Sequence, residues 1–318
     1  MTAIEALPVP NRHDGSARMV GIEVECGGLR EDRVADLVAD RFGGTVRHDG
    51  QYTRRVEGSR IGDVEVLLDT ALRDKVDSAV ARIGLDLGRA VIPVEFVTEP
   101  IPPERISEVD ALCEALAAEG AFGTQDGVAL GFGLHLNVAL AGNQVDDILP
   151  TLTAFALMED WMRGRMALDP SRRLMPFVDP YPASLLDRLC DPAEDWSLSR
   201  LAEHYLSLSA SRNHALDLLP ILKTAYPDRV VSAVPQMDHK SARPAWHYRL
   251  PDCRIDDPAW SIALEWNRWC AVERVGADRA LLERLKAHWR AYRSRALPIP
   301  GQWASVSAEI LDEAVVLP

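Results

Sequence analysis

Alternating segments carry the residues best suited to chemistry: Gly21-Ile22-Glu23-Val24-Glu25, Val94-Glu95-Phe96-Val97, Gly133-Leu134-His135-Leu136-Asn137-Val138 and Trp246-His247-Tyr248-Arg249-Leu250. On a strand, residues two apart leave the same face. Glu23 with Glu25, His135 with Asn137, and His247 with Arg249 therefore each share a face opposite an apolar one. Glu65, Leu67 and Asp69 make a weaker case of the same kind. An antiparallel sheet wetted on one side also alternates polar and apolar residues. Such a face, however, mixes in Lys, Thr, Ser and Gln, whereas these positions hold Glu, Asp, His, Asn and Arg. If the segments are neighbours, that much like charge persists only with bound cations or raised pKa values. Hard divalent ions, Mg or Mn, suit oxygen-rich donors and commonly keep substrate phosphates as ligands. Arg249 adds a planar fork for phosphate or carboxylate. The chemistry implied is a metal-nucleotide cradle on a sheet.

Familiar nucleotide signatures are missing. There is no GxxxxGK[ST], and Gly131-Phe132-Gly133-Leu134-His135-Leu136 has leucine where GxGxxG needs its last glycine. HExxH and GxSxG are absent too, which removes the main cue for zincins and serine hydrolases.

Positioning these side chains requires a sheet. Strands are expected at Met19 to Cys26, Thr45 to Tyr52, Gly62 to Asp69, Val91 to Val97 and Val128 to Leu140, with helices at Glu31 to Phe42, Ala71 to Gly88 and Glu104 to Ala118. Pro102 and Pro103 open the last of these helices. Beyond Asp146 the pattern turns helical: Asp147 to Arg165, Leu198 to Leu208, Trp260 to Val275 and Arg279 to Ser294, with one returning strand at Trp246 to Leu250. Asp169 to Pro192 is punctuated by prolines, and Ser211 to Ala242 reads as a loop. Trp260, Trp266 and Trp269 fall on one expected helix and read as core. The order fits an α+β fold, a mainly antiparallel sheet with helices on one face. Residues 1–17 are expected outside the core, and 18–318 as a single domain.

The 318 residues carry 48 acids against 35 Lys and Arg, a net charge of −13 that disfavours nucleic acid as a partner. Five scattered cysteines without CxxC suggest neither a disulfide framework nor a zinc site, and read as buried thiols of a reducing compartment. No apolar leader or membrane span is apparent, so a cytoplasmic location without membrane partners is expected.

In order, the runs GIEVE (Gly21 to Glu25), GDVEVLLDT (Gly62 to Thr70), VEFVTEPI (Val94 to Ile101), GLHLNV (Gly133 to Val138) and HYRL (His247 to Leu250) resemble the amidoligase family. That family is similar to glutamine synthetase and gamma-glutamylcysteine ligase. The resemblance implies a curved, glutamine-synthetase-like sheet and ATP-dependent amide formation through an acyl phosphate. The substrates would be a small-molecule or peptide carboxylate and an amine.

By this resemblance Glu23 and Glu25 hold Mg-ATP. Glu95 and His135 join them as metal ligands, and Asn137 takes the second position of an HxH-like strand. His247-Tyr248-Arg249 stands where the family has Glu-Phe-Arg. Arginine is kept to balance charge in the transition state, and histidine replaces a metal-binding glutamate: either the site uses fewer acidic ligands, with His247 as an extra one, or catalysis has been lost. Independently of the resemblance, amide formation needs an acid to take the amine's proton; Asp69 is the candidate, and a strand-ending turn carboxylate is its alternative reading. Ala215-Leu216-Asp217-Leu218 looks like the family's Ala-Leu-Asn-Leu. From their place in the proline-punctuated segment, Arg172 and Arg173 read either as a pair that closes over nucleotide phosphate or an anionic substrate or as a solvated surface couple. His204, His214 and His239 are expected at the surface or at helix ends. The departure at His247 motivates a rival, a noncatalytic nucleotide-binding or metabolite-binding protein on the same scaffold. Clustered Glu and His would also serve a metal-dependent hydrolase.

Overall fold

The computed structural model describes residues 2–68, 93–124, 131–166, 168, 178–295 and 301–315. Its strands are β1 (Val20–Cys26), β2 (Thr45–His48), β3 (Thr53–Glu57), β4 (Val64–Leu68), β5 (Val94–Thr98), β6 (Leu134–Ala139), β7 (Leu216–Asp217) and β8 (Ala245–Tyr248). They form one open sheet in the order β2-β3-β4-β5-β1-β6-β8-β7, every neighbouring pair antiparallel.

Alternation fixes the register. In β1, Val20, Ile22, Val24 and Cys26 are fully buried, and Ile22 lies opposite Leu136, which lies opposite Tyr248. A one-residue slip would turn this apolar row to the other face and bury the glutamates instead. The described helices are α1 (Glu31–Phe42), α2 (Ile106–Ala118), α3 (Val145–Arg165), α4 (Ala183–Leu189), α5 (Leu198–Leu208), α6 (Leu219–Ala225), α7 (Pro227–Ala233), α8 (Ile262–Ala277), α9 (Arg279–Arg293) and α10 (Trp303–Ala314). On the apolar face, Trp269 of α8 packs against Trp246 and Tyr248 with ring centroids 5.8 and 5.3 Å away, and Phe155 of α3 meets Tyr248 at 6.0 Å. Helix α1 buries Val34, Ala35 and Val38 beside β3 and β4. The fold is thus α+β, as expected. All five cysteines are free and buried. No helix among the described residues is long and apolar enough to cross a membrane.

Several expectations need correction. The N-terminal segment is part of the core: Leu7 is buried, Trp266 Nε1 donates to the Glu5 carbonyl at 2.8 Å, and Asn267 Nδ2 donates to the Ala3 carbonyl at 2.7 Å. Trp260 precedes α8, while Trp266 and Trp269 are core. The expected loop from Ser211 to Ala242 contains α6 and α7, and α4 and α10 were not foreseen. The helix expected over Ala71 to Gly88 lies outside the described residues.

Helix α8 also buries a charge. Glu265 is 2% exposed; its Oε1 accepts from Arg268 at 2.7 Å, and its Oε2 has no hydrogen-bond partner among the described residues. Burial pushes its carboxyl up to about 7 against the opposing pull of Arg268. The native state therefore holds this proton more tightly than the unfolded chain, whose carboxyl titrates near 4.5. Its contribution is complete below that pH, falls as pH rises, and is gone above about 7. Glu265→Gln keeps the shape without the charge, and is expected to be more stable than the parent by up to ~3 kcal/mol at pH 8. Urea unfolding at pH 5 and pH 8 checks this; equal pH slopes in both proteins would disprove it.

Candidate active site

Partners directly opposite in an antiparallel pair share a face. Glu23 faces His135, Glu25 faces Glu95, Asn137 faces His247, and His247 faces Asp217. The distant segments thus deliver Glu23, Glu25, Glu95, His135, Asn137 and His247 to one face, the one opposite the apolar core.

Hydrogen bonds lock part of this row. Asn137 Nδ2 donates to Glu23 Oε1 at 2.7 Å, His135 Nδ1 lies 3.0 Å from Glu23 Oε2, and His247 Nδ1 lies 2.9 Å from Asn137 Oδ1. Burial opposes ionisation of Glu23. Hydrogen bonds from His135 and from the Asn137 amide outweigh it and hold the carboxyl well below the usual range. An ionised Glu23 only accepts, so His135 donates from Nδ1. Asn137 gives its amide hydrogen to Glu23 and turns its carbonyl to His247, which therefore also donates from Nδ1. Burial drives His247 well below its ordinary value, with Glu23 pulling the other way, so the ring is neutral at pH 7. His247 is left with Nε2 as the lone-pair nitrogen, and Nε2 is the His135 nitrogen not engaged by Glu23. A carbonyl or carboxylate fixing the tautomer from behind is how ligating histidines are usually oriented.

The donors fall into overlapping groups. Glu23, His135 and His247 offer ligand atoms within 4.8 Å of one another, as do Glu25, Glu95 and His135. Glu25 Oε2 also accepts from the Gly133 amide at 2.7 Å. Cations border the row on the β8 side. Arg249 donates from Nη1 to the Arg212 carbonyl at 2.5 Å, and Arg243 Nη1 stands 3.7 Å from Glu23 Oε1.

Asp217, Arg212 and Arg243 were not among the expected site residues. Asp217 is inaccessible; Oδ1 accepts from the Leu219 amide at 2.9 Å, and Arg212 Nε is 3.9 Å from Oδ2. Burial pushes its carboxyl up to about 6, opposed by the Leu219 amide and by Arg249, Arg212 and Arg243. The only hint in the sequence was the Ala-Leu-Asp-Leu run, because a two-residue strand shows no periodicity.

Of the other expected residues, Asp69, Arg172 and Arg173 lie outside the described residues. His204 and His214 are buried rather than superficial: His214 Nε2 lies 2.6 Å from Ser209 Oγ, and His204 Nε2 lies 3.2 Å from Glu194. His239 is 93% exposed. A cavity of ≈ 750 Å³ adjoins the row at Gly21, Val97 and Asn137 and is walled by Arg12, Met19, Ala139, Arg243 and Ala245.

The family model described as "Putative amidoligase enzyme" matches residues 16–271. No curated protein and no solved structure gives a significant match. The matched span contains every segment that feeds the acidic row, and covers most of the chain: the protein belongs to the amidoligase family.

Proposed function

We propose that the protein is an ATP- and Mg-dependent carbon-nitrogen ligase, built on a glutamine-synthetase-like scaffold, that joins a carboxylate to an amine. The supporting observation is the convergence of two donor groups sharing His135 on one sheet face, in a family of ligase type. The residues fit a hard divalent cation. Glu25, Glu95 and His135 form one oxygen-rich set, and Glu23, His135 and His247 a second, more nitrogen-rich one that favours Mn over Mg. A bound ion would supply positive charge to phosphate oxygens.

A carboxylate is a poor electrophile, and ATP corrects this. Transfer of the γ-phosphoryl to the acid's oxygen releases ADP and leaves an acyl phosphate. The amine then attacks the acyl carbon, phosphate departs, and the amine gives up a proton. Arg249, with Arg212 and Arg243, supplies fixed positive charge as negative charge moves between phosphoryl and carboxyl oxygens. Glu23 holds His135, and Asn137 holds His247, in the required tautomer. Asp69, which follows β4 in the chain, is the proposed proton acceptor.

The test is phosphate release from Mg-ATP with panels of acids and amines. Release that requires both substrates supports the ligase. Nucleotide binding without turnover in any combination would replace it with the binding-protein reading, which the neutral, buried His247 favours. Amide cleavage without ATP would indicate a hydrolase. His247→Glu gives a second check. It adds a carboxylate beside Glu23, so the metal-free variant should unfold at a lower temperature, and Mg should raise its midpoint more than that of the parent. Equal Mg-induced shifts would remove position 247 from the ligand set.

A further inference from the structure

We infer that the cavity beside the acidic row is the acid-substrate pocket, and that its acid carries a second carboxylate held by Arg12 on the N-terminal turn. The inference rests on the ligase reading.

The turn from Arg12 to Ser16 is well built. Arg12 N donates to the Ser16 carbonyl at 2.7 Å and Gly15 N to the Arg12 carbonyl at 2.9 Å, while Gly15 takes φ of 86°, where glycine is favoured. Asp14 Oδ1 accepts from both the amide and the hydroxyl of Ser16, at 2.9 and 2.5 Å. The turn is anchored through His13, whose N–H donates to the Ala141 carbonyl at 2.9 Å and whose Nε2 lies 3.1 Å from Asp147. The backbone at Arg12 is thereby held at the cavity wall, with its side chain partly exposed beside Asp14.

The cavity's chemistry selects its occupant. Met19, Val97, Ala139 and Ala245 make an apolar lining, and ≈ 750 Å³ is room for more than a very small acid. The polar groups at the sheet end are already engaged. Asn137 uses both ends of its amide, and Thr98 Oγ1 accepts from Ile22 N at 3.1 Å. Little remains to read the hydrogen-bonding edge of a nucleobase. Among the described residues the arginine side chains, by contrast, make only long ion pairs, Arg12 at 3.8 Å with Asp14, which shares the cavity wall, and Arg243 at 3.7 Å with Glu23. Guanidinium groups are suited to bidentate capture of carboxylates. Arg243 stands at the Glu23 end, where it offsets repulsion between Glu23 and the carboxylate to be activated. Arg12 takes the other carboxylate, and the apolar wall takes the aliphatic stem between them. Arg12 lies outside the residues matched by the family model.

Calorimetric titration of the full chain with glutarate and alanyl-glutamate, against the monoacids pentanoate and alanyl-glutamine, tests the assignment. Each diacid is expected to bind about tenfold or more tightly than its monoacid. Arg12→Gln should bring that ratio to about one, Arg12→Lys should keep part of it, and the thermal midpoint should not move. A ratio near one in the parent, undetectable binding of both diacids, or a ratio that survives Arg12→Gln would overturn the proposal. Mg-ATP binding measured in parallel separates this from the parent reading: if Mg-ATP binds but the diacid ratio fails, only the pocket assignment is wrong. If Mg-ATP does not bind at all, the ligase reading falls with it.

Discussion

Glu23→Gln is expected to lower acid-and-amine-dependent phosphate release by about 100-fold or more, with the fold retained. The size of the effect comes from the hydrogen-bond chain rather than from charge alone. Glu23 accepts from Asn137 on one oxygen and faces His135 Nδ1 with the other. A glutamine has only one acceptor to offer. If its oxygen stays on Asn137, its NH2 meets His135 Nδ1, and that ring must move its proton to Nε2. If its oxygen serves His135, Asn137 must flip, and its NH2 then faces His247 Nδ1, 2.9 Å from the present carbonyl oxygen. Either way one imidazole loses its lone pair at Nε2 and stops being a ligand. The ratio of histidine tautomers, read from imidazole nitrogen chemical shifts, would change with the activity. A Glu23→Gln protein with normal turnover and unchanged tautomers would mean that the row does not serve catalysis.

This chain of donors explains why the site was partly legible in the sequence. Glu23, Glu25, Glu95, His135, Asn137 and His247 sit on strands whose other face is mainly apolar, with Thr98 the polar residue of that face on β5, so alternation announces a shared direction. Strand β3 was missed because Arg54 stands on its core side, buried and paired with Asp32 at 2.5 Å, which breaks the apolar alternation. Helices α6 and α7 read as loop in the sequence because Pro220 and Pro227 lie in their first turns, where proline starts a helix as readily as it ends one. Asp217 came from a strand too short to show a period. Arg12 and Arg243 came from turns, whose paths depend on contacts distant in sequence. The N-terminal segment contributes one leucine and several backbone carbonyls, and carbonyls leave no trace in composition.

That segment's attachment gives the largest expected stability effect, at Arg18. The guanidinium is 3% exposed and lies against Glu273, itself 5% exposed, through paired bonds of 2.6 and 2.7 Å. Its remaining donors reach the Ala139 carbonyl at 2.6 Å and the Val9 carbonyl at 2.9 Å, and Trp269 Nε1 reaches Glu273 at 2.9 Å. One side chain thus joins the end of β6, the N-terminal segment and α8. Arg18→Met leaves a carboxylate buried among apolar residues with a single indole donor, and should cost about 3–5 kcal/mol in urea unfolding at pH 7. The double variant Arg18→Met/Glu273→Met leaves no orphaned charge, and should cost less than Arg18→Met alone, because an isosteric apolar pair often matches a buried ion pair. A single-variant cost below about 1 kcal/mol would place the pair with surface ion pairs and refute this account. Because Val9 leads directly into the turn that carries Arg12, Arg18→Met should also erode the preference for diacids, and do so in conditions where the protein remains folded. Mg-ATP affinity, which the proposed function assigns to side chains of the central strands, should change less.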